Sequence, residues 1–320
     1  MCILLVLVLS AVLGCTGAVP HHVNIETLMD NVVVLRMPHA QGTMVNVPLT
    51  CGEAYENEAV FWKKNGVEME PPLQGNKVTV VVEEMRGGNY TCHLSPGGEY
   101  LNHTEILIQL DGASDPVILQ NLSSEEGFVH CSAQNYKGSF HCAWTRTESR
   151  SNAAVLLVAA ERYMQNIPCE LDADGSGVHC QDTHCPFDEE KHRIAFTVYM
   201  RSAARLEAYK KSFYLREIVR PATIPNLSIH DGNEFRWDYP ASWEKPCTYF
   251  GLQFEVKVVQ NAQSCTSEAA IVSNITTDTA YKTNVRAKRF VFCVRAQDKN
   301  TLGPWSQWSQ CVVNKNHVSC

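Results

Sequence analysis

Past residue 20 the chain lacks any apolar run approaching the roughly 20 residues that a bilayer-spanning helix requires, which argues against a membrane anchor. Its last stretch, Val312-Val-Asn-Lys-Asn-His-Val-Ser-Cys320, is too short and too polar to signal a lipid anchor. There is no long basic block, and 27 basic against 34 acidic side chains leave a net charge of −7. Nucleic acid is therefore not an expected partner. No nucleophile, base and orienting group stand at a recognisable spacing, so the chain is not expected to be an enzyme, and no cofactor is expected.

What the chain does have begins at its N-terminus. An apolar run from Ile3 to Leu13 leads into small residues around Gly14-Cys-Thr-Gly-Ala18. This pattern predicts a secretory signal peptide over 1–18, although the charged residues that usually precede such a run are missing. The mature product is expected to be secreted and extracellular. Twelve of the 14 cysteines survive cleavage into an oxidising compartment, where disulfides are the default. His179-Cys180 and His184-Cys185 imitate a zinc spacing, but the compartment favours disulfides, and no metal is expected. Asn-x-Ser/Thr acceptors for glycosylation occur at Asn89, Asn102, Asn121, Asn226 and Asn274.

The rest of the sequence alternates in strand fashion, predicting an all-β protein of three tandem β-sandwiches. In the first module, 19–111, Val45, Val47, Leu49 and Cys51 share one face, as do Val78, Val80 and Val82, and Ile106, Ile108 and Leu110. Cys51, Trp62 and Gly88-Asn-Tyr-Thr-Cys92 follow the Cys…Trp…Tyr-x-Cys order of an immunoglobulin-like sandwich, with a Cys51–Cys92 bridge across the sheets. The second module, 112–220, carries a short Cys131–Cys142 loop followed by Ala-Trp144, the mark of a fibronectin type III domain of the cytokine-receptor kind. Ile194, Phe196, Val198 and Met200 alternate as a buried-face strand, and Ser212 to Arg220 reads as the last strand. Pro221-Ala-Thr-Ile-Pro225 then breaks the ladder as an elbow into a second fibronectin-type module, 221–320.

The third module holds Gly303-Pro-Trp-Ser-Gln-Trp-Ser309 after the strand-like run Phe290–Arg295. Trp305 and Trp308 are spaced to project from one side of a three-residue-per-turn stretch, and Arg289 and Arg295 share one strand face. Guanidinium planes between indole faces contribute about 0.5–2 kcal/mol per contact. With Ser306 and Ser309 this is a WSxWS box, and Trp305-Ser-Gln-Trp308 is also a pattern for C-mannosylation of Trp305, which a hexose mass on its peptide would reveal.

The chain resembles the interleukin-12 beta subunit family, shared with interleukin-23, a soluble class I cytokine-receptor-like group. The likeness runs over nearly the whole length and is most specific in Asn135-Tyr-Lys-Gly-Ser-Phe-His-Cys-Ala-Trp144, Cys180-Gln-Asp-Thr-His-Cys-Pro186, Ile218-Val-Arg-Pro221, Trp237-Asp-Tyr-Pro240 and Val294-Arg-Ala-Gln-Asp298. The resemblance implies a secreted chain that binds a four-helix-bundle cytokine alpha subunit at the elbow between the fibronectin domains. It also implies that the Ig-like domain contacts a shared interleukin-12 receptor beta chain. It implies a Cys169–Cys180 bridge, leaving Cys185 for a disulfide to the alpha subunit; an internal pairing, a free thiol and a homodimer remain open alternatives. Asp298 corresponds to the aspartate that receives an arginine from the alpha subunit, Tyr136 and Tyr249 to pocket tyrosines, and Glu189 to an acidic position beyond Cys185.

Two departures accompany the likeness. The loop Gln260–Glu268 lacks a basic cluster, which counts against glycosaminoglycan binding. The third module holds five cysteines, for which a Cys293–Cys311 bridge is one option and Cys247, Cys265 and Cys320 are unassigned. The same order of modules also suits a soluble alpha receptor or decoy of the interleukin-6 or ciliary neurotrophic factor group.

Overall fold

The computed structural model describes residues 24–38, 42–111, 116–183, 190–243, 251–260, 263–287, 289–314 and 317–320. The signal segment, Cys185, Glu189, Cys247 and Tyr249 lie outside the described residues. Structure is almost entirely β, and the chain divides into two compact units, Met1–Asp115 and Pro116–Cys320. Among the described residues no helix is long and apolar enough to cross a membrane.

The first unit is an Ig-like sandwich. One sheet joins Asn24–Met29 to Val32–Pro38, the latter running parallel to Tyr100–Asp111, which continues through Gly88–His93 and Phe61–Lys64 to Val67–Glu68. The other pairs Met44–Thr50 with Lys77–Glu83. Because side chains alternate along a strand, Val47 and Leu49 face Val80 and Val82 inside while Thr50 and Val81 stay exposed. The Cys51–Cys92 disulfide closes a loop of 41 residues across the core, a constraint that stabilises by about 3–4 kcal/mol. Trp62 packs in the same core, 2% exposed, and its indole N–H donates to Gly75 O at 2.9 Å.

The second unit contains both fibronectin-type sandwiches. In the first, one sheet orders Gln165–Asn166, Ala154–Arg162, Ile194–Ser202 and Arg205–Phe213, facing a sheet of Cys169–Leu171, Gly177–Gln181, Ser139–Ala143 and His130–Ser132. Ile194, Phe196, Val198 and Met200 point inward onto Phe140 and Trp144. In the second, Ser228–His230, Glu234–Arg236 and Ala280–Lys282 face the sheet of Val272–Thr276, Leu252–Gln260, Arg289–Asp298, Ser309–Asn314 and His317–Ser319. Phe235 stacks on Phe292 at 3.9 Å, and Trp237 meets Phe254 edge-on. One continuous apolar cluster runs through both sandwiches by way of Leu215, Ile218, Val219 and Ile224.

That bridging segment corrects an expectation. Ser212 to Arg220 is not one strand: the strand Arg205–Phe213 ends, and Leu215–Ile218 forms a single helical turn. Leu215 and Ile218 both need the core, and a spacing of three places both on one side of a helix but on opposite sides of a strand.

Among the described residues, the disulfides of the second unit are Cys131–Cys142, Cys169–Cys180, Cys265–Cys293 and Cys311–Cys320. A Cys293–Cys311 bridge is thereby excluded. The register pairs Phe292 with Cys311 and Cys293 with Gln310, so the two cysteines are one residue out of step and face opposite sides of the sheet. Cys311 joins the core, whereas Cys293 joins Cys265, Val259 and Val291 in a separate outer cluster.

Candidate functional site

On the outer face of the third module, Arg295 lies between two indoles, 4.8 Å from the Trp305 centroid and 4.4 Å from that of Trp308. Glu255, directly opposite in the ladder, fixes the guanidinium through Nε at 2.7 Å. Ser306 Oγ accepts the Ala296 N–H at 2.9 Å, and Ser309 Oγ donates to Ile224 O at 2.7 Å, so both box serines pin the segment to the backbone. The stack continues to Lys257, 5.8 Å from Trp308, rather than to Arg289. Arg289 sits six residues along the strand from Arg295, a distance of about 20 Å, too far to share a rung.

The junction of the two fibronectin sandwiches holds the second constellation. Asp298 ends its strand fully buried, at 0% exposure, and its Oδ2 accepts the Tyr136 hydroxyl at 2.9 Å from the neighbouring sandwich. Its Oδ1 accepts the N–H groups of Asn300 and Thr301 at 2.7 and 3.0 Å. Trp243 meets the Tyr136 ring edge-on at 5.9 Å. Among the described residues no cation pairs with this carboxylate. The loop after Asp298 lines an open groove of about 630 Å³ together with Arg216 and Glu217, through Asn300, Thr301 and Leu302. Leu302 stands 62% exposed at a φ of 51°, an uncommon conformation for a branched apolar residue. Gly303 allows the close approach that shapes this loop, since a Cβ there would lie 3.1 Å from Arg216 O and 3.2 Å from Val219 O.

Burial above all, with a contribution from the Asp298 carboxylate, pushes the Tyr136 phenol well above the ordinary tyrosine range, which makes it the donor in this bond. Burial and then the hydrogen bond to Glu207 do the same for Tyr209. The folded unit therefore keeps protons that the unfolded chain releases above about pH 10. Stability is expected to be complete below that pH and to fall as pH rises through it. Thermal melts between about pH 8 and 11 check this, and Tyr136→Phe should show a shallower alkaline decline; an identical slope would refute the assignment to Tyr136.

A third feature was not visible in the sequence. Buried Arg162 donates from Nε to Asp182 Oδ2 at 2.7 Å and from Nη1 and Nη2 to Glu190 Oε1, both at 3.1 Å. Glu190 also accepts the N–H groups of Leu215 and Arg216, at 2.9 and 3.0 Å, which caps the helical turn at the junction. One guanidinium thus anchors the residues that flank 184–189 on both sides, together with the elbow helix. Trp243, Thr301 and Lys257 were missed as well. Lys257 shares an outward face with Glu255 at a spacing of two, a signal that was present, while the partners of Arg162 are 20 and 28 residues away and leave none.

Of the glycosylation acceptors, Asn89, Asn121, Asn226 and Asn274 are exposed, and Asn102 is half-buried with its Nδ2 donating to Cys51 O at 3.1 Å.

An immunoglobulin-like sandwich joined to two fibronectin sandwiches, with the tryptophan–arginine stack on the last, defines a receptor-type chain of the class I cytokine-receptor kind. A family model described as "Cytokine interleukin-12p40 C-terminus" matches residues 126–202, which fall on the first fibronectin sandwich. Human interleukin-12 subunit beta is 30% identical over 296 residues, covering 85% of this chain and 87% of that protein. The Felis catus subunit is 29% identical over 310 residues, with 88% and 91% covered, and that of Sigmodon hispidus 27% over 292, with 84% and 86%. The chain belongs to the interleukin-12 subunit beta family. That family is one of cytokine subunits and not of enzymes.

Proposed function

We propose that this chain is the secreted beta subunit of a heterodimeric cytokine of the interleukin-12 and interleukin-23 type. It holds a four-helix-bundle alpha subunit at the junction of its fibronectin sandwiches and presents it to signalling receptors on immune cells, with the Ig-like domain meeting the shared receptor chain. The observation that carries the reading is the buried Asp298 carboxylate, which has no cationic partner among the described residues and whose bonded neighbours Asn300 and Thr301 line an open groove. Buried charges are normally paired. A carboxylate has about four acceptor sites, and three are used here, two on Oδ1 and one on Oδ2. The remaining site on Oδ2 suits an arginine of the partner once the Tyr136 and Thr301 wall yields. Exposed Leu302 on the groove rim offers an apolar anchor beside it.

Cys185, which falls in sequence between Asp182 and Glu190, the two residues that Arg162 holds, is assigned the disulfide to the alpha subunit, with Glu189 and Tyr249 at the same interface. Co-expression with a helical alpha subunit, followed by electrophoresis with and without reductant, tests this. Native protein should yield a reducible heterodimer, whereas Cys185→Ser should lose the covalent species and keep the non-covalent association. A linked species that survives the substitution would rule the assignment out.

A further inference from the structure

We propose that His141, Asp172 and His179 form a binding site for a divalent transition metal, with zinc as the fitting ion, on the outer face of the first fibronectin sandwich. The three come from three places in the sequence and meet through the sheet register. His141 on Ser139–Ala143 stands directly opposite His179 on Gly177–Gln181. Asp172 follows the strand Cys169–Leu171 in the tight turn where its N–H donates to Gly177 O at 3.0 Å. His141 Nε2 lies 2.9 Å from Asp172 Oδ2, His179 Nε2 lies 3.7 Å from Asp172 Oδ1, and all three ligating atoms fall within 4.8 Å of one another. Zinc bonds of about 2.0–2.1 Å in a tetrahedron separate neighbouring ligand atoms by roughly 3.3 Å. The two histidine–aspartate distances bracket that value, on the two oxygens of one carboxylate, and the third pair lies within 4.8 Å, so rotations of side chains already in place complete the geometry.

Two further observations separate this set from a chance pair of histidines. Gly177 has no backbone conformation that demands glycine, yet a Cβ there would fall 2.4 Å from Asp172 Oδ2 and 2.7 Å from His141 Nε2. Glycine keeps the cradle open. Each histidine also immediately precedes a disulfide cysteine, Cys142 or Cys180, so the Cys131–Cys142 and Cys169–Cys180 bridges hold the ligand-bearing backbone rigid. Ligands on rigid elements lose little freedom on binding an ion. The two imidazoles line an open cleft of about 550 Å³ that gives an ion a way in. Glu170, opposite His179 on the next strand, or water would take the fourth position. A cysteine-based zinc site involving Cys180 stays excluded, since that sulfur is in a disulfide.

The test uses the full secreted chain without a histidine tag, stripped by a chelator and titrated calorimetrically with zinc chloride. One equivalent should bind with a dissociation constant in the micromolar range or tighter. His179→Ala and His141→Ala should each weaken it by about tenfold or more, in keeping with loss of a ligand. His179 carries 68% of its side-chain surface exposed, so its substitution should leave the melting temperature of the metal-free protein unchanged and report on binding alone. Absence of a stoichiometric site in the native chain, or affinity unaltered in both variants, would overturn the proposal.

Discussion

Replacing Arg162 with alanine is expected to lower the unfolding free energy of the second unit by about 3–5 kcal/mol. For a unit of this size that is a fall of roughly 6–20 °C in melting temperature. The size follows from what the substitution leaves behind. Asp182 and Glu190 are 5% and 6% exposed, and Arg162 is the guanidinium donating to both. Removing it takes away the guanidinium that both buried carboxylates share, the costly way to break a buried ion pair, and Arg216, 3.6 Å from Glu190, offsets only part of that loss. Glu190 would then also hold the N–H groups of Leu215 and Arg216 less firmly, and with them the turn that carries core residues Leu215 and Ile218. Five of the six tryptophans lie in the second unit, so urea unfolding followed by fluorescence reports mainly on it. The triple variant Arg162→Ala, Asp182→Asn, Glu190→Gln should recover part of the loss because no buried carboxylate is left facing the missing guanidinium, while Arg216, which also pairs with Glu190, is one-third exposed and can turn to water. A single variant within about 1 kcal/mol of the native chain would mean that the network contributes little.

Arg162 also marks where sequence reading stops. The Ig-like order of Cys51, Trp62 and Cys92, and the inward faces around Val47, Val80, Ile194 and Phe254, are periodic or local features, and a period of two is readable without knowing which strands pair. Register is different. Whether Cys293 looks toward Cys311 depends on a one-residue offset between strands, which no spacing along one strand records. The same limit hid Lys257 behind the tempting parity of Arg289, and kept His141 apart from Asp172 and His179. Resemblance supplied Asp298 and Tyr136, and the structure brings these two into contact from different sandwiches. The depth of that contact was not legible, because burial depends on how two sandwiches close upon each other.

That depth makes Asp298→Asn the most discriminating single substitution. Asparagine keeps the shape and leaves Oδ1 to accept the Asn300 and Thr301 N–H groups, while the Tyr136 hydroxyl can turn toward Thr301 Oγ1, already 3.3 Å away. The isolated chain should therefore unfold within about 1 kcal/mol of the native protein. The heterodimer should not be so tolerant. Pairing a partner guanidinium with a buried carboxylate exchanges an uncompensated charge for a charge-assisted pair, and truncating such pairs costs about 2–5 kcal/mol. That corresponds to roughly 30- to several-thousand-fold in affinity, mostly as faster dissociation. Binding is best measured with Cys185→Ser in the background, so that a covalent link does not mask the change. Equal affinity of the two proteins for the alpha subunit would remove Asp298 from the interface. A chain destabilised as much as its complex would reduce the carboxylate to a loop cap, and the groove lined by that loop would then need another explanation.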